Sequence, residues 1–537
     1  MFPPNSITSS EQLHSTSNNQ RWTFSLIWAV IIVTFSTSFV MGVNTGGPNL
    51  YNGFIIPWLR GYPFPCQKDD STSQWIARVW SGCDYINVLA RNYTGYYYLP
   101  AMPANSYVAQ NFIDSLHGIL FVVGATIGSF TGQYWYKYFT RRNAIIICML
   151  FQVVASILMI FTLEIYHGYD LGDPSLLAIK KALENKNFAI SLFYISRFLS
   201  GWSAGLSCVV TPIYLTDISP RTMRGEIVTY HQLLIVIGVF FGQIISLPWL
   251  LGQHDKWHWG MSWVGIFSLI GCFLIWTLYE SPRWLMQDRQ RHEAIESLRA
   301  LRETSEIEEE IREIEREELT VNLQDLSLVR LFTSSRFRWP LLTSIVLTAA
   351  SQFSGINTVL FYSHTTFSQM GILEDKVYWT VLSTGMCLVI ATMASIKLVE
   401  LFGRRPLILY PLAIIVVIMI LLCVFLQINP EGLVVEILLL ILIFIALFSV
   451  GLGTIPYLYP NEVFTISVRP VAHSFAMFSM FFTDALVIVV FPLLHSVFGS
   501  YVFLLFCICC LLSFVFLWLR MPETKSKRLH EIEEFWW

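Results

Sequence analysis

Gln232, Gln352 and Asn357 place amide side chains inside long apolar stretches of this chain. An amide both donates and accepts hydrogen bonds, and burying one in an apolar span costs free energy unless it finds partners. Such groups suit a ligand that carries hydroxyls on an apolar frame, with aromatic side chains nearby for its ring face. The other reading is hydrogen bonding from helix to helix, common in membrane bundles. Ser354-Gly355 lies between Gln352 and Asn357, small residues that loosen a helix there. His231 neighbours Gln232 but points about 100° away around a helix. It therefore reads as a packing or interhelical contact. Asp484 lies about fifteen residues into an apolar stretch, near its middle. An ionisable residue at that depth points to function: it binds a hydroxyl or carries a proton. The bland option is a neutral carboxyl bonded to a neighbouring helix.

A second group of residues is charged and repeated. Asp217 and Arg224 stand seven residues apart, as do Glu462 and Arg469, and the two copies are 245 positions apart. Pro212 and Pro456 precede them at nearly the same offset. Arg141-Arg142 and Arg404-Arg405 repeat at a separation of 263. The chain thus reads as two related halves, and in a membrane protein related halves suggest a transporter that rocks about a central site.

The elements that must carry these residues follow from composition. The chain has 537 residues, of which 54% are hydrophobic and 13% charged. Runs of roughly 20 apolar residues are candidate membrane spans, and about twelve occur. They lie near 23–43, 112–135, 143–163, 188–210, 226–248, 258–279, 338–363, 377–398, 406–427, 433–459, 470–495 and 499–520. The expected fold is an all-α polytopic membrane protein with twelve transmembrane helices in two six-helix halves, 22–285 and 336–520. A polar break at 286–335 holds a Glu/Arg/Ile-rich run at helical spacing, in which pairs such as Glu309 with Arg312 suit a solvated helical linker. The net charge of −3 points to no class of partner, and no basic block suggests nucleic acid. No cofactor or metal motif is present: no His-Glu-x-x-His and no P-loop.

Sidedness follows from the loops. Nine Lys and Arg in short loops fall on the side shared with the termini, against five on the other, which places both termini in the cytoplasm. Residues 1–21 read as a cytoplasmic, disordered tail, 521–537 as a second cytoplasmic tail, and the first helix as an uncleaved anchor. The long first loop, 44–111, is expected outside. It holds the sequon at Asn92 and the cysteines Cys66 and Cys83, which either pair as a disulfide or stay as two thiols.

An ordered set of motifs adds a resemblance. It comprises Asn44-Thr45-Gly46, Arg141-Arg142-Asn143, Arg197-Phe-Leu-Ser-Gly201, Pro220 to Gly225 and His231-Gln232-Leu233 in the first half. It continues with Glu280-Ser-Pro-Arg283, Gln352-Phe-Ser-Gly-Ile-Asn357, Glu400-Leu-Phe-Gly-Arg-Arg405, Gly451-Leu-Gly-Thr-Ile-Pro456 and Pro522-Glu-Thr-Lys525. With these motifs the chain resembles the sugar porters of the major facilitator superfamily, specifically the animal facilitative hexose transporters, over nearly all of 22–530.

The resemblance implies hexose uniport by alternating access at the plasma membrane, and it assigns Gln232, Gln352 and Asn357 to the sugar site. Tyr457 stands where hexose transporters often carry tryptophan, and serves as a ring-face contact or an interfacial anchor. Asn44 joins the binding set. Proton-coupled members carry an Asp at its position, and an amide takes up no proton, so facilitation is expected. Gly451, Gly453 and Pro456 are expected to form a hinge, with close helix packing as the alternative. Arg141, Arg142, Arg197, Asp217, Arg224, Glu280 and Arg283, mirrored by Glu400, Arg404, Arg405, Glu462, Arg469 and Glu523, are expected to close an inner gate. Thr140 departs from the glycine that usually precedes the first Arg-Arg. Ser351, Cys387, Ser449, Met480 and Asp484 depart from the polar set of glucose carriers, as does Thr348-Ala349-Ala350. Another sugar or polar solute, a proton-coupled sugar or polyol symporter using Asp484, and a transporter-like nutrient sensor are the other readings.

Overall fold

The computed structural model describes residues 21–60, 107–167, 176–253, 256–305, 307–319, 328–357, 359–360, 374–428, 432–465, 467–525, 527, 531–532 and 534–536. Asn92, Cys66 and Cys83 lie outside the described residues. Regular structure among the described residues is helical throughout. Apolar side chains such as Phe273 and Leu512 stay exposed on the outer faces of the bundle, as expected where lipid is the solvent.

Helix α1 starts as Phe24–Val33, passes through a π-helical turn, Thr34–Phe39, and continues as Val40–Arg60. Thr23 caps it, accepting the Leu26 N–H at 3.3 Å. In the π turn the hydroxyls of Thr34, Ser36 and Thr37 donate to the carbonyls of Val30, Ile32 and Val33 at 2.7, 2.7 and 2.6 Å. Such back-bonding supplies partners to a loosened ladder. The first loop does not begin at 44, as expected, because the helix runs on to Arg60. The Gly- and Asn-rich stretch is helical because it packs so closely. A Cβ on Gly42 would stand 1.9 Å from the Ile235 carbonyl oxygen, and one on Gly46 would stand 2.3 Å from that of Val239. Small residues let two backbones approach, and that packing overrides weak helix propensity.

The first half continues with α2 (Tyr107–Tyr138), α3 (Arg141–His167), α4 (Leu176–Ile218), α5 (Arg224–Ile245) and α6, built from Trp257–Ser262 and Gly265–Leu274. Four short helices follow: α7 (Pro282–Gln287), α8 (Arg291–Arg302), α9 (Glu308–Leu319) and α10 (Leu328–Thr333). Leu285, Leu298, Ile307, Ile311 and Ile314 give the first three of them a small core of their own, while Leu331 of α10 joins the main core. Arg302 ties this layer to the bundle: it bonds Glu310 at 2.7 Å and donates to the Ile218 carbonyl, at the end of α4, at 2.9 Å. Arg312 pairs with Glu308 at 3.7 Å.

The second half holds α11 (Ser335–Phe353), α12 (Glu374–Phe402), α13 (Arg404–Ile428), α14 (Val434–Val450), α15 (Ile455–Val463), α16 (Arg469–Phe498) and α17 (Val502–Arg520). Among the described residues, 11 spans are long and apolar enough to cross a membrane, α14 and α15 counting as one. Helix α11 supplies the twelfth predicted position. It stops at Phe353, Gly355 takes φ +76°, and helical residues resume at Ile356. That φ favours glycine, and a Cβ there would also stand 3.0 Å from the Phe506 ring. A second break separates α14 from α15. Residues 451–454 turn there, with Gly453 N–H on Phe448 O at 2.8 Å, and Pro456 opens the next helix. Gly451 also packs tightly, since a Cβ on it would stand 2.2 Å from the Leu407 carbonyl oxygen. The halves meet along a seam where α2 packs on α16 and α5 on α12.

Candidate substrate cavity and charge network

The cavity lies in the seam and takes its walls from both halves. Met41, Thr45, Phe121 and Gln232 line it from the first half, and Gln352, Asn357, Tyr457, Phe481 and Asp484 from the second. The break in α11 organises the second wall. Five residues along an unbroken helix would leave Gln352 and Asn357 about 140° apart. With the break, the Asn357 amide donates to Gln352 Oε1 at 2.9 Å. Asn357 also lies against the Asp484 carboxylate. Two buried acceptors in the described cavity wall have no hydrogen-bond partner among the described residues: Gln232 Oε1 and Asp484 Oδ1. Buried acceptors are almost always bonded, so these two call for a donor from a ligand. The Gln232 amide nitrogen faces Gly453 across the seam, 3.4 Å from where a Cβ would stand.

Tyr457 is buried beside the cavity, and its ring meets His231 nearly perpendicularly at 5.1 Å. His231 Nδ1 lies 2.7 Å from the Ser38 hydroxyl, so this imidazole braces α5 against the π turn of α1. It faces away from the Gln232 position. Met41, Phe121 and Phe481 escape sequence reasoning, because an apolar residue in an apolar span carries no signal of which face it occupies.

Two expected residues lie elsewhere. Asn44 does not line the cavity. Its amide donates to Val40 O and to Gln152 Oε1, both at 3.1 Å, and Gln152 donates in turn to Ser156 at 3.2 Å. Asn44 is thus a link between α1 and α3, a position that follows from the unexpected continuation of α1. Arg197 is not part of the charge network. It stands 20 residues before Asp217 on α4, so the two are about 30 Å apart along the axis. It is buried with its guanidinium 4.7 Å from the centre of the Phe121 ring, and no guanidinium nitrogen has a hydrogen-bond partner among the described residues.

The remaining charges collect at one end of the bundle. In the first half, Asp217 forms an ion pair with Arg141 at 3.4 Å and accepts from the Ser281 hydroxyl at 3.1 Å. Glu280 accepts the Arg142 backbone N–H at 3.2 Å, capping α3, and Thr140 accepts the Asn143 N–H at 3.2 Å. Thr140 therefore serves as a helix cap where the second half has the positive-φ Gly403. Burial pushes the Glu280 carboxyl above its ordinary range, against the hydrogen bonds from Ser281 and Arg142. Arg142 also reaches Leu278 O at 3.2 Å, and Arg283 is buried in α7.

The second half repeats the plan. Arg404 meets Glu462 at 2.6 Å and Glu400 at 3.3 Å. Glu523 accepts the N–H groups of Arg404 and Arg405 at 2.9 and 3.0 Å, and Arg405 donates to Trp518 O at 2.7 Å. Gly403 takes φ +88° against Glu523, whose carboxylate would stand 2.6 Å from a Cβ there.

Between the cavity and this end the halves are joined directly. Arg469 of α16 bonds Asp217 of α4 at 3.2 Å. Four residues further along α16, on the same helix face, His473 Nε2 lies 3.0 Å from the Cys208 carbonyl oxygen. Gly225 packs directly against the Glu400–Arg404 pair, where a Cβ would stand 2.0 and 2.4 Å from their side-chain atoms. Arg224, the sequence counterpart of Arg469, leaves its Nε without a hydrogen-bond partner among the described residues.

Two six-helix halves around a shared, mostly apolar cavity with a few polar groups, and matched charges at one end, define a transporter of the major facilitator fold. The sequence model described as "Sugar (and other) transporter" matches residues 77–536, and the chain belongs to that family. It is 30% identical over 422 residues to the chicken (Gallus gallus) solute carrier family 2, facilitated glucose transporter member 1, covering 78% of this chain and 81% of that protein. It is 31% identical over 423 residues to the pig (Sus scrofa) member 2, with 78% and 76% covered. The mouse (Mus musculus) member 9 matches at 25% identity over 533 residues, 97% of this chain and 87% of that one. Among solved structures, the proton:xylose symporter XylE bound to 6-bromo-6-deoxy-D-glucose superposes with a TM-score of 0.74 at 20% identity, covering 96% of this chain and 99% of that chain. At that identity the likeness is one of fold.

Proposed function

We propose that this protein carries a hexose across the plasma membrane by facilitated alternating access, with its charged end and both termini in the cytoplasm. One observation supports this above others. Gln232 from one half and Gln352 and Asn357 from the other meet at a single cavity, while Arg469 and Asp217 join the halves on its charged side. In this arrangement the route to the charged side is shut. Sugar hydroxyls supply the donors that Gln232 Oε1 and Asp484 Oδ1 lack, and Tyr457 offers an aromatic surface to the ring. Inward opening then breaks the Arg469–Asp217 bond and slides Gly225 off Glu400 and Arg404, with the break at 451–456 absorbing the bend. The sugar favours opening only through contacts that differ between the two states. Asn44, bonded to Gln152, has no carboxylate to take up a proton, which favours uniport over coupling. The solute crosses chemically unchanged, so the protein acts as a carrier and not as an enzyme.

Uptake of a labelled hexose and polyol panel into proteoliposomes tests the reading. Saturable hexose flux is expected, and Gln352→Ala should lower it at least about tenfold, the scale of one or two lost hydrogen bonds. Absence of flux for every solute would leave a sensor as the better reading. A current under voltage clamp that grows with acidity and vanishes in Asp484→Asn would replace uniport with proton coupling.

A further inference from the structure

The chemistry of the cavity is lopsided. Among its described lining residues Asp484 is the one acid, and no Lys, Arg or His lines the wall. Arg197 lies against the Phe121 ring without lining the cavity itself. A carboxylate in its ionised form only accepts hydrogen bonds. Asn357 is the neighbour that donates toward it, and the Asn357 amide is already shared with Gln352 Oε1. Asp484 Oδ1 therefore remains buried and unmatched, as does Gln232 Oε1 on the opposite wall. Two orphan acceptors, one of them anionic, ask for donor hydrogens and for positive charge. A hydroxyl offers one donor hydrogen, while an ammonium offers three together with a full charge.

We infer that the cavity prefers hexoses bearing an amino group: Asp484 binds the ammonium, and Gln232 accepts from the ammonium or a neighbouring hydroxyl. This rests on the reading of the protein as a hexose carrier and names its solute class. Anionic sugars, such as uronates, are disfavoured by the same carboxylate. Charge-assisted hydrogen bonds are about twice as strong as neutral ones, so the expected preference is about tenfold.

The test uses the full-length protein in proteoliposomes and labelled glucose as tracer, in neutral buffer. Unlabelled glucosamine, 2-deoxyglucose and glucuronate compete. Glucosamine should reach half-inhibition at about one tenth the concentration of 2-deoxyglucose, with glucuronate weakest. In Asp484→Asn the first two should converge. Should that variant not fold or not move the tracer, wild-type protein in alkaline buffer decides, because neutral glucosamine should lose its advantage. Equal competition by glucosamine and 2-deoxyglucose in the wild type overturns the inference. So does a preference that survives in Asp484→Asn or in alkaline buffer. If no sugar enters or competes at all, the carrier reading itself fails and this one falls with it.

Discussion

Asp217 and Glu462 occupy matching places in the two repeats, yet they hold different partners. Asp217 is buried and shared: it binds Arg141 of its own half and Arg469 of the other. Glu462 stays at home, bonded to Arg404 of the second half and to the Thr524 hydroxyl of the segment that follows it. The two arginines that follow differ in the same sense. Arg469 crosses the seam, and Arg224 leaves its Nε without a hydrogen-bond partner among the described residues. Similar spacing in sequence has produced one acid that links the halves and one that fastens a single half together. A repeat thus conveys where charges lie along the helices, but not which of them bridge.

The contrast can be broken by experiment. The largest effect on the seam is expected from Asp217→Asn. Removing one member of a buried ion pair typically costs about 3–5 kcal/mol, because the partner stays buried and uncompensated. The variant should favour the state open to the charged side. Labelling of Thr45→Cys by an impermeant thiol reagent from the opposite side should fall, and unchanged labelling would remove Asp217 from any gating role. Gly225→Ala comes next. Its methyl must displace the ends of Glu400 and Arg404, which are flexible side chains, so the same shift should appear at reduced size. Glu462→Gln should alter labelling least while lowering the melting temperature, since Arg404 loses its nearest acid within one half. If Glu462→Gln opened the seam as strongly as Asp217→Asn, the two acids would be equivalent and the asymmetry without consequence.

Much of this molecule was legible before any coordinates. Span counting located the helices because an apolar run near 20 residues has few other uses. Gln232, Gln352, Asn357, Tyr457 and Asp484 all line one cavity, as polar or aromatic groups in spans tend to when they serve a ligand. The failures have physical causes. Asn44 was placed by analogy with a carboxylate position, but a neutral amide buried in the bundle found a neighbouring amide instead. Arg197 was grouped with the charged end by its sign, whereas its depth, readable from residue count along α4, sets it apart. The continuation of α1 to Arg60 was hidden by glycines that look like a loop and act as a packing surface against α5. His473 gave a usable signal, a polar residue one turn beyond Arg469, that was passed over.

The π turn at Thr34–Phe39 has a consequence for the length of the chain. A π turn holds one more residue than the α-helical turn it replaces. Removing one residue there, with the turn relaxing to α-helix, would leave the rest of α1 on the same face. Met41 and Thr45 would keep lining the cavity, and Gly42 and Gly46 would keep their places against Ile235 and Val239. A deletion at Val40, in regular helix, would instead turn those residues by about 100°. The π turn is thus the one stretch of the first helix where the chain can shorten by a residue without turning its wall of the cavity.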